Sequence, residues 1–267
     1  MPQTTSRLVS VAGAAAMLTP AAAVAQDADE LARQLANPVA NLYSLPFQLN
    51  YDEGYGADGG GYRYTLNIQP VIPISLNDDW NLVSRTIVPV ISQTDVIPGS
   101  SQKGYGDIVQ SLFFSPKAPT AGGLIWGVGP VFLLPTGSDE YSADQFGAGL
   151  TAVALKQTGP WTFGGLVNHI WDVGGGDDAT EIDASFVQPF ATYGFKGGWS
   201  LTLNTELTYD WTTEQASVPI NLNLAKVTTI GGTPVSIGAG VRYWADSPEN
   251  GPDGWGARLT MTFMYPK

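Results

Sequence analysis

From residue 45 onward the chain consists of long segments in which apolar and polar residues alternate. In residues 199–211, WSLTLNTELTYDW, apolar or aromatic side chains occupy nearly every second position, and polar side chains occupy the others. A period of two indicates a β-strand with one apolar and one polar face. Strands are usually about 5–6 residues long, so a run of this length with tryptophan at both ends needs a special setting.

Twelve segments of this kind follow one another along the chain. Residues 161–172 and 183–195 alternate too weakly for their faces to be assigned. The twelve predicted strands are 45–51, 61–76, 80–94, 105–115, 123–134, 146–157, 161–172, 183–195, 199–210, 217–227, 234–245 and 254–265.

The odd-numbered and even-numbered connections between these segments differ in length and in charge. The odd-numbered connections are longer and carry most of the acidic residues, whereas the even-numbered ones are mostly tight and hold Asp78 and Asp79. Outer-membrane barrels combine strands of about 9–11 residues with short periplasmic turns, long external loops, an apolar outer band and a polar interior. We therefore predict an all-β fold, a transmembrane antiparallel up-and-down β-barrel of about twelve strands, with both termini periplasmic. A soluble secreted β-sandwich or barrel is the alternative. It explains the alternation but not the strand length, the loop asymmetry and the terminal aromatics together.

Composition narrows the possible functions. The chain has 267 residues with no cysteine and one histidine, which excludes disulfides and multi-histidine metal sites within it. The net charge of −12 argues against general nucleic-acid binding, which needs clustered Lys and Arg. We expect no cofactor and no metal.

The N-terminus has the pattern of a secretory signal peptide. A basic start at Arg7 precedes an apolar, alanine-rich stretch and an A-x-A site, so we predict a signal peptide over 1–25 with cleavage after Ala25. Residues 26–44 form an N-terminal segment with a short helix predicted over 27–37, and the barrel follows over 45–267. The helix either enters the lumen from the periplasmic end as a plug or stays mobile in the periplasm.

Four stretches resemble a known bacterial family: ELARQLANPVANLYSLPFQLNYDEG, LNIQPVIPISLNDDWNLVSRTIVPVI, GYGDIVQSLFFSPK and GVGPVFLLPTG. They resemble the family labelled MetA-pathway of phenol degradation, over roughly residues 30–267. The resemblance implies an outer-membrane barrel for uptake of aromatic or hydrophobic compounds, and it offers no catalytic residues. The last strand departs from barrels generally, because Pro266 and Lys267 follow its aromatic residues.

Arginines within the strands indicate which face lines the lumen. At mid-depth, a lipid-facing arginine costs about 2–4 kcal/mol, so these side chains should point inward. Arginines on segments 2, 3, 11 and 12 would form a basic stripe near the barrel seam, and Glu206 with three asparagines would lie elsewhere on the wall. The lumen-lining candidates are Arg63, Asn67, Gln69, Arg85, Asn204, Glu206, Asn221, Asn223, Arg242 and Arg258.

These charges have two interpretations. They either form a constriction that orients solutes, as charged rings do in pores, or pair with each other and fill a narrow barrel. If they line a pore, replacing Arg242 and Arg258 by alanine should change its ion selectivity.

His169 is the single histidine, and its facing cannot be assigned. No G-x-S-x-G motif occurs and the sequence places no serine near it, so we predict that the chain is not an enzyme. Residues 171–183 mix glycine with acids. A solvated external loop explains them better than a Ca²⁺ site, because they lack EF-hand spacing.

The sequence thus predicts passive passage of small molecules, hydrophobic or aromatic compounds included, across the bacterial outer membrane. The expected partners are outer-membrane lipids and lipopolysaccharide, a small-molecule solute and the barrel-insertion machinery. Two alternatives stay open: an outer-membrane lipid-modifying enzyme, and a structural or adhesive barrel that acts through its external loops.

Overall fold

The computed structural model describes residues 20–175 and 179–266, with backbone only for residues 20–27. Most of the predicted signal peptide and part of the acidic loop at 171–183 lie outside these ranges. One helix, α1 (Pro20–Leu35), runs across the predicted cleavage site and ends two residues earlier than expected. No helix in the described ranges is long and apolar enough to cross a membrane.

The remaining elements are strands of one closed antiparallel sheet. They are β1 Tyr43–Tyr55, β2 Gly61–Ile68, β3 Val71–Ser75, β4 Trp80–Thr94, β5 Ser101–Tyr105, β6 Ile108–Pro116, β7 Leu124–Leu134, β8 Gln145–Thr158, β9 Trp161–Gly175, β10 Asp183–Gly194, β11 Trp199–Thr205, β12 Leu207–Asp210, β13 Gln215–Ile230, β14 Thr233–Asp246 and β15 Gly254–Tyr265. The sheet closes because β1 pairs with both β2 and β15. Three strands of the barrel are each split in two: β2 and β3, β5 and β6, β11 and β12. β5 lies almost entirely before the predicted strand 105–115, which corresponds to β6. The predicted twelve-stranded antiparallel barrel is therefore confirmed.

The break between β11 and β12 has a local cause. Glu206 lies in the gap, where its backbone N–H reaches the Pro219 carbonyl at 3.4 Å. On the other side, β10 carries Pro189 between its pairings with β11 and with β12. Proline has no N–H to donate to a neighbouring strand. β10 at Pro189 and β13 at Pro219 therefore both lack a backbone donor beside the break.

Side chains alternate between a polar interior and an apolar exterior along most strands. On β13, Leu222 is 43% exposed and the adjacent Asn221 is 1% exposed. Trp199 and Trp211 both point outward at opposite ends of the barrel, 39% and 54% exposed. This arrangement gives an apolar outer wall with aromatic residues at both edges, as in membrane barrels.

β9 and β10 depart from this rule because both of their faces carry apolar residues. Leu166 and Ile170 are buried inside, while Val167 and Trp171 are exposed outside. The two faces therefore could not be assigned from the sequence pattern. His169 shares the outward face with Val167 and Trp171.

The two ends of the barrel differ in their connections. Residues 135–144 and 247–253 connect strands at one end, whereas 159–160 and 231–232 are two-residue turns at the other. Gly231 and Gly232 both have positive φ, which a tight two-residue hairpin needs. We call these the long-loop end and the short-turn end. α1 lies at the short-turn end, where it contacts β10, β11 and β13.

Candidate functional site

An ion pair crosses the lumen between β15 and the break after β11. Arg258 donates from Nη1 to Glu206 Oε1 at 3.0 Å and from Nη2 to Oε2 at 2.7 Å, and its Nε donates to Asn50 Oδ1 at 2.8 Å. The Arg258 side chain is 4% exposed and that of Glu206 is 20% exposed. This fork-to-fork geometry is the strong, bidentate form of an Arg–carboxylate pair. Glu206 therefore lies on a different part of the wall from Arg258, as expected, but it contacts the basic stripe directly across the lumen.

A second ion pair lies beside the first. Arg242 Nε is 3.1 Å from Asp52 Oδ1, and both side chains are nearly inaccessible to solvent. The Trp244 indole N–H donates to the same oxygen at 2.9 Å, and the Arg242 guanidinium lies 5.1 Å from the Trp244 ring.

Asp52 was not among the predicted lumen residues, because it follows the predicted strand 45–51 and was expected in an external connection, whereas β1 continues to Tyr55. Asn50 and Asp52 are two residues apart and therefore share the inward face of β1. This alternation is the sequence signal that could have predicted Asp52 on the lumen wall.

The other two luminal arginines bind amides. Arg63 Nε donates to Gln93 Oε1 at 2.9 Å, and its guanidinium lies 4.7 Å from the Tyr55 ring. Arg85 Nη2 donates to Gln69 Oε1 at 2.9 Å. Neither arginine belongs to an ion pair among the described residues. The basic stripe therefore keeps charge that carboxylates do not neutralise locally.

Three asparagines face the lumen from β11 and β13. Both amide atoms of Asn221 and the Oδ1 atoms of Asn204 and Asn223 are buried without a hydrogen-bond partner in the described chain. Leaving such a group unpaired costs about 1–3 kcal/mol. Asn204 and Asn223 also line the luminal cavity, where water or a polar solute can supply the missing partner.

All ten lumen candidates lie on the inner wall. Asn67 pairs across strands with Gln48, which lines the luminal cavity. We call the group around the two ion pairs the charged network; it consists of Asn50, Asp52, Glu206, Arg242, Trp244 and Arg258. The role of these residues in solute passage stays a prediction.

An apolar patch covers a different part of the inner wall, toward the short-turn end. The patch was not predicted, because the interior of such a barrel is expected to be polar. Val39, from the segment after α1, is 5% exposed and packs into this patch. The patch consists of Val83, Phe113, Val153, Leu155 and Leu166, bordered by Phe186 and Phe190.

Gly127 on β7 makes room for this docking. A Cβ added there would lie 3.3 Å from Val39 Cγ1 and 3.3 Å from Phe113 Cβ. The turn that presents Val39 is held by Asn37, whose Oδ1 accepts from the Val39 N–H at 3.0 Å.

α1 is held against the barrel by polar and apolar contacts. Asp29 Oδ1 accepts from the Gly198 N–H at 2.6 Å, and Arg33 exchanges two hydrogen bonds with Gln157 at 3.0 and 2.9 Å. Ala32 packs in a buried cluster with Leu42, Val227 and Met264. Residues 29–42 thus lie against the short-turn end of the barrel, and the action of this segment as a plug stays a prediction.

A cavity of about 300 Å³ lies in the lumen above this segment. The cavity is lined by residues of the N-terminal segment, by residues of the apolar patch and by polar side chains of the barrel. The residues that characterise it are Pro38, Arg85, Leu166, Phe190, Asn204 and Asn223.

Comparison with known proteins identifies solved structures that share the fold of this chain. No family model matches the chain, and no curated protein matches its sequence. Among solved structures, an outer membrane channel from Pseudomonas putida F1 matches with a TM-score of 0.64 and 14% identity, over 84% of this chain and 94% of that one. The chain has the fold of an outer-membrane barrel. The barrel implied by the family resemblance is thus confirmed, whereas the family itself is not shown.

Two further matches are phospholipases with a similar barrel. Outer membrane phospholipase A from Escherichia coli matches with a TM-score of 0.50 and 14% identity, over 85% of this chain and 98% of that one. The Salmonella typhi outer membrane phospholipase dimer with bound calcium matches with a TM-score of 0.50 and 13% identity, over 91% and 97%. At these identities the likeness concerns the fold alone.

The prediction that the chain is not an enzyme is contradicted. Barrels of this architecture include phospholipases, so the fold gives no ground for excluding catalysis. The prediction also relied on the apparent lack of a serine near His169. In the structure, Ser185 Oγ lies 2.8 Å from His169 Nδ1. Sequence reasoning missed this contact because only the register between β9 and β10 brings the two residues together.

Proposed function

We propose that the protein is an outer-membrane channel for small molecules, with a preference for compounds that join an aromatic or hydrophobic body to a polar group. The observation that carries this proposal is the luminal cavity, which lies between an apolar patch and a polar wall. The similarity to an outer membrane channel and the resemblance to the phenol-degradation family support the same assignment.

The cavity suits such a solute physically. Small-molecule sites usually measure about 300–1,000 Å³ and combine apolar walls with a few polar groups. Here Leu166 and Phe190 offer an apolar surface, and Asn204 and Asn223 offer unpaired amide oxygens that accept hydrogen bonds. The aromatic ring of such a solute would pack against the patch. Its hydroxyl or carboxylate group would form a hydrogen bond with Asn204 or Arg85.

The proposed setting is the bacterial outer membrane, with the long-loop end outside. The apolar outer wall and its aromatic edges favour contact with lipids, and the acidic external loops would meet lipopolysaccharide. Export through a cleaved signal peptide and assembly by the barrel-insertion machinery belong to the same proposal.

Solute uptake by proteoliposomes tests the proposal. We expect 4-hydroxybenzoate to enter several-fold faster than a sugar of similar mass. Leu166→Asn should remove this preference, because it makes the apolar patch polar. Ile97→Asn, in an exposed external loop, is the matched control and should keep it.

Equal rates for the two solutes would contradict the preference for aromatic compounds. A correctly folded barrel that admits neither solute would contradict the channel and favour a role of the external loops.

A further inference from the structure

A polar cluster interrupts the apolar outer wall near the long-loop end. His169 on β9 lies directly opposite Ser185 on β10, and Asp183 lies one outward position further along β10. Trp211, after β12, completes the group. The surrounding outward residues are apolar and exposed, among them Val167, Trp171 and Val187.

Ser185, His169 and Asp183 lie in series, with a short distance between each neighbouring pair. Ser185 Oγ is 2.8 Å from His169 Nδ1, and His169 Nε2 is 3.0 Å from Asp183 Oδ1. The second contact is close but not aligned as a hydrogen bond, since both atoms lack a hydrogen-bond partner among the described residues. Catalytic hydrogen bonds are often poorly aligned before substrate binds.

The direction of the protons follows from the donors and acceptors present. A carboxylate only accepts, so the proton of a neutral His169 belongs on Nε2, which faces Asp183. Nδ1 is then an acceptor, and the Ser185 hydroxyl donates to it. The Trp211 indole N–H donates to Ser185 Oγ at 2.9 Å, which leaves the hydroxyl proton directed at the imidazole. A serine in this state is a nucleophile beside its general base.

We propose that Ser185 and His169 form an acyl-ester hydrolase site on the outer wall of the barrel, with Asp183 and Trp211 as positioning residues. Its position at the aromatic edge of the apolar wall matches the depth at which a lipid of the outer leaflet carries its ester bonds. The substrate class is therefore the acyl ester of a membrane lipid. This site faces away from the lumen, so it is separate from the proposed channel.

The reaction balances with water as the second substrate. Ser185 Oγ attacks the acyl carbonyl carbon, and His169 Nδ1 takes the hydroxyl proton and gives it to the oxygen of the departing alcohol. Water then attacks the acyl-serine ester while His169 accepts a proton from it. That proton returns to Oγ, and the free carboxylic acid leaves.

The test measures ester hydrolysis by the full chain purified from membranes, in a buffer that contains Mg²⁺ and Ca²⁺. The probes are a phospholipid in mixed micelles, the soluble ester p-nitrophenyl butyrate, and a fluorophosphonate that labels activated serines. We expect hydrolysis of the phospholipid and covalent labelling on Ser185. Ser185→Ala and His169→Asn should each lower hydrolysis at least 100-fold. Ser92→Ala, another outward serine, should leave it unchanged.

The positioning role of Asp183 has its own readout. Asp183→Asn should lower kcat about 10-fold or more with little change in KM, whereas a merely structural role would reduce the folded fraction and leave kcat per folded barrel unchanged. A gel-shift assay of barrel folding accompanies every variant.

Hydrolysis of the soluble ester alone would support the serine site and overturn the lipid assignment. A folded wild-type barrel that hydrolyses neither ester and takes no label would overturn the site. So would activity that persists in Ser185→Ala. Neither result depends on whether the lumen conducts solutes.

Discussion

The lumen contains two contrasting parts, the charged network and the apolar patch. In the network, Arg258 and Glu206 form a bidentate pair with little exposure to solvent. In the patch, the side chain of Val39 docks against aliphatic and aromatic residues from other strands. The first contact joins two parts of the barrel wall, whereas the second joins the wall to a segment outside it.

This contrast indicates which contact can change during function. Removing one member of a buried ion pair costs about 3–5 kcal/mol, because it leaves an uncompensated charge. Burying one valine side chain contributes only about 1.5–3 kcal/mol. We therefore expect the charged network to be a fixed part of the wall, and the N-terminal segment to be the part that can leave.

The largest effect should come from breaking the charged network. Arg258→Met leaves Glu206 without its partner, so we expect the free energy of unfolding to fall by about 3 kcal/mol. Chemical unfolding of the refolded barrel in detergent, followed by fluorescence, measures this change. Arg63→Met is the matched control. It removes an arginine that binds an amide, and we expect a loss of about 1 kcal/mol.

The double variant Arg258→Met with Glu206→Gln sharpens this test. It removes both charges and should recover most of the lost stability. If Arg258→Met and Arg63→Met cost the same, the proposed difference between paired and amide-bound arginines would be wrong.

The next effect concerns the docking of Val39. Val39→Asp would place a carboxylate in the apolar patch, at a cost of several kcal/mol that exceeds the gain from burying valine. We expect the segment to undock and trypsin to cleave after Arg33 much faster than in the wild type. Val39→Ala should give an intermediate rate. Equal rates in all three proteins would show that Val39 does not hold the segment.

The two parts also differ in how far the sequence reveals them. Alternation around Arg63, Arg242 and Arg258 placed these side chains on the inner wall, since arginine at mid-depth is costly in lipid. The pairing of Arg258 with Glu206 could not be predicted from the sequence, because the closure of the barrel determines which side chains face each other across the lumen. The patch left no signal, because Leu166 and Val167 are equally apolar although they face opposite sides.

The smallest effect should come from tightening the docking site. Gly127→Ala adds a Cβ 3.3 Å from Val39 Cγ1, so a neighbour must shift, and we expect docking to weaken by about 1 kcal/mol. The tryptic rate should rise about fivefold. Gly122→Ala, in an open turn with free space around the added carbon, should leave the rate unchanged. A larger effect at Gly122 than at Gly127 would contradict the proposed docking.

Single-channel conductance in a planar bilayer tests the central proposal most directly. For the wild type, we expect small, stable conductance steps, because the charged network and the N-terminal segment both occupy the lumen. For Val39→Asp, we expect larger steps, because the segment has left. A folded barrel that stays silent in both forms would contradict a luminal channel.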